Sequence, residues 1–227
     1  MTRRAGPDDD LLLVLHELRN PLVGIDAAAR VLATELNGHP ATPRARSIAS
    51  EARHMLALLE RVSEAMAISA RTVRSVRRPI DLAQVVRETA AGFQRGREIV
   101  VSCPSAPVMV RADAGRIRQV LANLLTNAAQ YSPAEAPIEL TLRARGARAT
   151  VSVRDQGPGI PARERSQLFR KFARLSTAGE TRGSGLGLYI CKAIIDEHGG
   201  TIGYKEKTFS FTIPLQRSSG SRSRPRR

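Results

Sequence analysis

Residues 16–22 read His-Glu-Leu-Arg-Asn-Pro-Leu, and His16 offers the first candidate chemistry. An unperturbed imidazole is largely uncharged near neutral pH, so its ring nitrogen is a competent nucleophile. A zinc site of the His-Glu-x-x-His kind would set two imidazoles on one helix face. Position 20 is Asn20, which removes the second ligand, and His39, His54 and His198 fall at no ligand spacing. Asn123 and Asn127 are four residues apart, so on a helix they share a face. An amide oxygen is a hard ligand suited to Mg²⁺, though the same pair also reads as ordinary helix surface. In Asp155-Gln156-Gly157-Pro158-Gly159 a carboxylate could accept from an exocyclic amine while the glycines let a flat base approach. The segment reads equally as an Asp-initiated turn. Gly183-Ser184-Gly185-Leu186-Gly187-Leu188 opens a predicted helix, whose first amides form an anion site. No Gly-Lys-Ser/Thr follows and a polar loop precedes, which excludes both a P-loop and a dinucleotide fingerprint.

Two kinds of element must position these groups. Over residues 8–76 the pattern is helical throughout. Leu11, Leu15, Leu18, Leu22, Ile25, Ala29, Leu32 and Leu36 step by fours and threes, a coiled-coil seam. Asn37-Gly38-His39-Pro40 stops this helix. A second seam follows through Ile48, Ala52, Met55, Leu59, Val62, Met66 and Val73. Two helices cannot enclose both seams, whereas two copies making a four-helix bundle can, so a homodimer is expected. Pro21 lies inside the first helix and should kink it beside His16. From about Ile80 the pattern changes. Helices are expected at Asp81–Phe93, Asp113–Tyr131 and Leu186–His198, and strands at Ile99–Ser102, Val108–Arg111, Ile138–Arg143 and Ala149–Arg154, with a final hairpin over Thr201–Pro214. Strands and helices out of strict alternation suggest an α+β sandwich with helices on one face.

Composition narrows the class. No apolar run approaches the ~18 residues that span a bilayer, and the start, MTRRAGPDDD, is not a signal peptide. Cys103 and Cys191 sit far apart among apolar neighbours, which suggests reduced buried thiols and a cytoplasmic protein. The formal net charge of +15 invites a nucleic-acid reading. Five of the arginines lie in the Ser/Arg/Pro end, which reads as a disordered tail, and no nucleic-acid-binding signature is visible. A dedicated nucleic-acid role is not expected, because charge balance speaks to association and not to fold.

Taken in order, these stretches resemble the sensor histidine kinases of two-component signalling. HELRNPL is similar to the phospho-acceptor box, RIRQVLANLLTNAAQYS to the asparagine box and DQGPGI to the first glycine box. LFRKFARL resembles the phenylalanine box and GSGLGLYICKAIIDEHGG the second glycine box. The resemblance implies an α+β chain: a helical hairpin forming a dimeric four-helix bundle, then an α/β sandwich of the Bergerat ATP-binding type. The expected domains are a disordered start (1–7), a dimerisation and histidine phosphotransfer hairpin (8–76), a catalytic ATP-binding domain (77–215) and a disordered basic tail (216–227).

The same resemblance implies roles. His16 would take the γ-phosphoryl group of ATP, Glu17 would orient or deprotonate it, and Asn20 would position a water for dephosphorylating the partner regulator. Arg174 would steady the γ-phosphate. Asn127 would hold Mg²⁺ with Asn123 beside the phosphates, Tyr131 would cover the base, and Asp155 would read the adenine amine. Gly157, Gly159, Gly183, Gly185 and Gly187, with Ser184 and Leu186 among them, would shape the pocket and its lid. Phe169 and Phe172 would pack the base of that lid. Gln130 stands where the family usually carries a Lys or Arg near the phosphates, which would either weaken ATP binding or shift that task to Lys171 or Arg182. Leu15 replaces a small polar residue, and the hairpin at Tyr204–Thr208 lacks a glycine-bearing insertion. The implied partners are a second copy, the receiver domain of a response regulator and a separate sensor protein, since few residues precede the first helix. The non-enzymatic alternative is a catalytically weak scaffold or phosphotransfer dimer that binds a receiver domain.

Overall fold

The computed structural model describes residues 7–69, 75–93, 97–173 and 184–216; the side chains of 7–13, 16 and 69 lie outside that description. The chain divides into two compact units, Met1–Val73 and Arg74–Arg227.

The first unit is a helical hairpin of α1 (Pro7–Glu35) and α2 (Thr42–Ser69). Pro21 does not end α1, which runs on for four further turns. Gly38 takes a positive φ of 83° in the connection, and Thr42 is buried with its hydroxyl donating to the Leu36 and His39 carbonyls. The apolar seam expected along α1 is two stripes. Leu15 (7% exposed) and Ala29 are buried in the hairpin, with Leu22 and Leu36 partly so; Leu18 (49%), Ile25 and Leu32 are exposed. Along α2, Ala45, Ala49, Ala52, Ala65 and Met66 are buried, while Ile48 and Met55 are exposed. On α1 each stripe repeats at seven residues, as do the exposed Ile48 and Met55 of α2, so one face of each helix closes the hairpin and a second stays bare. Between the helices Asp26 is buried, with Arg30 Nε at 3.4 Å and Arg53 Nε at 3.5 Å.

The helical expectation through residue 76 fails at its end. Residues 75–77 are irregular and belong to the second unit. Ser75 donates its N–H and hydroxyl to the Glu197 carboxylate, both at 2.7 Å, and Val76 N–H donates to Asp113 Oδ2 at 3.0 Å.

The second unit is a mixed sheet under three helices. Its elements are β1 (Arg78–Asp81), α3 (Leu82–Ala91), β2 (Ile99–Ser102), β3 (Met109–Ala112), α4 (Ala114–Tyr131), β4 (Ile138–Arg145), β5 (Arg148–Arg154), α5 (Gly187–Glu197), β6 (Thr201–Lys205) and β7 (Thr208–Pro214). A two-turn 3₁₀ segment, Ala162–Gln167, lies between β5 and α5. Five strands follow the order β2-β4-β5-β7-β6; β2 and β4 are parallel and the rest antiparallel. β1 and β3 form a separate antiparallel pair.

Alternation sets the buried face. Ile138, Leu140 and Leu142 of β4, Val151 and Val153 of β5, and Phe209, Phe211 and Ile213 of β7 point inward against the helices. α4 meets them with Ile117, Val120, Leu121, Leu124, Leu125 and Ala128, and α5 with Ile190, Ile194 and Ile195. Each such Val, Leu, Ile or Phe side chain stabilises the fold by about 1.5–3 kcal/mol relative to exposure. Acidic caps set where helices start. Asp81 accepts from Ala83 N (2.9 Å) and Val108 N (2.8 Å), and Asp113 Oδ1 accepts from Gly115 N (3.0 Å) and Arg116 N (3.2 Å). Gln216, placed at the start of the expected tail, is bonded to the sheet unit: its N–H donates to the Met109 carbonyl at 2.9 Å, and the rest of that tail lies outside the described residues. Similarly, Pro7 of the expected disordered start already belongs to α1. Cys191 is buried and Cys103 half-buried, both as free thiols.

Candidate functional site

α4 carries the asparagine pair because its opposite face is fully apolar and committed to the core. Asn123 and Asn127 are half-buried on the remaining side. Asn123 reaches α5: its amide lies 3.8–4.0 Å from where a Cβ on Gly187 would sit, and its Nδ2 is 3.7 Å from Cys191 Sγ. Gly187 is the first residue of α5, so the asparagine face meets a helix start with amides that lack intrahelical acceptors. Leu186, fully buried, anchors that start, and its N–H donates to Ser184 Oγ at 3.4 Å.

The C-terminal end of α4 meets the loop after β5. A Cβ on Gly157 would lie 2.7 Å from the Tyr131 carbonyl oxygen and 2.8 Å from Asp155 Oδ1, so only glycine fits. Asp155 is buried, and its Oδ1 accepts from Gly157 N–H at 2.7 Å. Burial pushes its carboxyl above the usual range, against the pull of the Gly157 amide and the Lys207 charge. Tyr131 remains over one-third exposed beside it. Asp155, Gly157, Tyr131, Asn123 and Gly187 therefore line one side of the sandwich, from a buried carboxylate to a set of helix-start amides. This suits a ligand with an amine-bearing flat ring at one end and an anion at the other.

Gly185 takes a φ of 68° and packs on residues 172–173: a Cβ there would come within 2.7 Å of the Ala173 carbonyl oxygen and the Phe172 carbonyl carbon. The expectation that the Phe172 ring packs this region is corrected. Phe172 as a residue is 62% exposed and has a φ of 58°, and its backbone makes the contact with Gly185. Lys171 is exposed, with its ammonium 5.4 Å from the centre of the Tyr189 ring, a cation–π contact. Arg174, Arg182 and Gly183 lie outside the described residues.

In the first unit His16 lies on α1, with Glu17 and Asn20 both exposed. Arg19, between them, pairs with Glu60 of α2 at 3.0 Å.

Comparison with known proteins decides the family. Residues 112–217 match the family described as histidine kinase-, DNA gyrase B- and HSP90-like ATPases. The chain is 36% identical over 223 residues to the adaptive-response sensory kinase SasA of Parasynechococcus marenigrum (strain WH8102), covering 92% of this chain and 57% of that kinase. Among solved structures, the catalytic domain of histidine kinase ThkA is 32% identical with a TM-score of 0.54, covering 61% of this chain and 95% of that one. The chain belongs to the sensor histidine kinases. Full-length ShkA, solved in complex with AMPPNP, superposes with a TM-score of 0.76 at 28% identity, covering 92% of this chain and 46% of that one. The chain spans somewhat over half the length of the SasA relative.

Two supports of the candidate site carry no clear mark in the sequence. Ser132 ends the asparagine box; it is buried, and its hydroxyl accepts from Gln156 N–H at 3.1 Å. Arg97 in turn donates to the Ser132 and Pro133 carbonyls at 2.8 and 2.6 Å. The second support is the β6–β7 turn, where Lys207 O accepts from Asp155 N at 3.3 Å. Its signal was the missing glycine-bearing insertion, a local departure that gives no hint of the loop it touches.

Proposed function

We propose that this chain is the dimeric core of a two-component sensor histidine kinase, which phosphorylates His16 from ATP and passes the group to an aspartate of a response regulator. The observation that carries the reading is the alignment, along one side of the sandwich, of buried Asp155, the Gly157 approach and the Asn123–Gly187 contact. The AMPPNP complex of the ShkA relative supports ATP as the ligand.

In this reading Asp155 accepts a hydrogen bond from the adenine amine, Tyr131 covers the base, and the glycines keep the floor flat. The α5 amides and Ser184 face the phosphates, with Lys171, Arg174, Arg182 and Gly183 from neighbouring segments. Among the described residues no group of three or more His, Cys, Asp or Glu could hold a metal ion. A site of one amide and the nucleotide's own phosphates is the kind Mg²⁺ accepts, with Asn127 as the protein ligand. Magnesium there would neutralise phosphate charge during transfer. A His16 ring nitrogen attacks the γ-phosphorus, the bond to the β-phosphate oxygen breaks, ADP leaves, and Glu17 takes or directs the imidazole proton. Asn20, one turn along α1, positions a water for the reverse hydrolysis on the regulator.

The helical unit serves as the dimerisation and phosphotransfer hairpin. Leu18, Ile25 and Leu32 with Ile48 and Met55 leave a bare apolar stripe that a second copy covers as a four-helix bundle. No described helix is long and apolar enough to cross a membrane. A kinase that draws on ATP and a receiver domain works in the cytoplasm. Incubation with γ-labelled ATP and Mg²⁺ tests the proposal: acid-labile, base-stable label on the wild type and none on His16→Gln is expected. A wild type that binds ATP yet stays unlabelled would be a scaffold instead.

A further inference from the structure

β6 and β7 are joined by a two-residue turn, Glu206-Lys207, with φ of 51° and 61°. Hairpins that need positive φ at both central positions favour Asn-Gly, so Glu and Lys here hold a strained backbone. Such strain points to a role for the side chains that keep it. The turn does not stand free. Lys207 Cγ and Cε lie 3.5 and 3.7 Å from the point a Cβ on Gly159 would occupy, and Tyr204 Oη lies 3.4 Å from the same point. Tyr204 Oη accepts from Ile160 N–H at 3.0 Å, while Arg165 donates to the Ile160 carbonyl at 3.0 Å and sits 5.7 Å over the Tyr204 ring. Lys205 and Glu206 pair with one another at 3.4 Å, which leaves the Lys207 charge to act on Asp155.

We propose that Lys207 is a positioning residue of the nucleotide pocket, laid against Gly159 in the loop after β5 so that Asp155 selects a 6-aminopurine over a 6-oxopurine. The inference rests on the reading of Asp155 as the adenine acceptor. An anionic carboxylate can only accept, which suits the 6-amino group; a protonated one can donate to a 6-oxo oxygen. Burial favours the protonated form of Asp155, and Lys207 opposes it. Packing of the Lys207 stem on Gly159 also fixes the loop that carries the carboxylate.

Affinities of the full chain for ADP and IDP, by calorimetry, with melting temperatures taken without nucleotide, test this. Lys207→Met lowers the ADP-to-IDP affinity ratio by about two- to fivefold, the scale of a partly exposed charge contact, and Lys207→Arg restores it. The double change of Glu206→Asn with Lys207→Gly relaxes the turn, so it melts higher while losing the same selectivity, which separates recognition from folding. An unchanged ratio in both Lys207→Met and the double variant overturns the inference. If Lys207 variants keep the ratio and Asp155→Asn loses it, the adenine reading stands and only the role of Lys207 fails. If Asp155→Asn keeps wild-type ADP affinity and ratio, both fall.

Discussion

Asp155 is placed against its own interest. Its buried carboxylate is held above the usual range, so ionising it near neutral pH costs folding free energy. For a group with a raised folded pKa, stability falls as pH rises through that value. Asp155→Asn should therefore melt no lower than the wild type at pH 7 without nucleotide, and higher if the cost is large, while its ADP affinity drops by about tenfold or more, as expected for a lost charge-assisted hydrogen bond. Thermal melts paired with calorimetry check both halves. Gly157→Ala is the opposite case. Its Cβ would press within 2.7 Å of the Tyr131 carbonyl, so melting temperature and nucleotide affinity both fall. Sequence alone left Asp155-Gln156-Gly157 equally readable as a plain turn. The deciding contact, Gly157 against the end of α4, joins segments far apart in the chain.

At the scale of elements, the entry of the chain into the sheet unit is clipped by two helix ends. Glu197 at the end of α5 holds Ser75, and Asp113 before α4 holds Val76; buried His198 accepts from Asp113 N–H through Nε2 at 3.0 Å. Burial pushes both carboxyls up, but hydrogen bonds overcome it: Ser75 for Glu197, and the Arg116, Val76 and Gly115 amides for Asp113. Both folded values lie below the ordinary range, so this stabilisation is present above the ordinary carboxyl pKa and is lost as pH falls through the folded values. Glu197→Gln should lower the melting temperature at pH 7 and flatten its decline below about pH 4.5, the ordinary Glu value. Equal pH profiles for variant and wild type would contradict the clip.

The helices around this clip were readable because α4 repeats its apolar face cleanly and Asp81 and Asp113 mark two starts. β1 was not. Its four residues, Arg78–Asp81, include a proline and show no inward–outward alternation, since they pair only with β3. The helical period likewise ran on to residue 76, where side-chain clips replace it.

At the scale of the molecule, the α1 and α2 seams were legible as apolar but not as two faces. A three-four spacing does not say which half of the stripe closes a hairpin and which half stays bare. That split makes the dimer proposal specific. Ile25→Lys with Leu32→Lys charges the exposed stripe and leaves Leu15 and Ala29 untouched, so the hairpin keeps its helicity while the chain sediments as a monomer. A dimer that survives this double change contradicts a bundle built on that face.

Histidine phosphorylation itself is tested most directly by mapping the phosphoryl group. The chain is incubated with ATP and Mg²⁺, digested at neutral to alkaline pH, and its peptides are weighed before and after acid. The account predicts one phosphorylated peptide, containing His16, that reverts in acid. A phosphoryl group on another residue, or an acid-stable one, would contradict it.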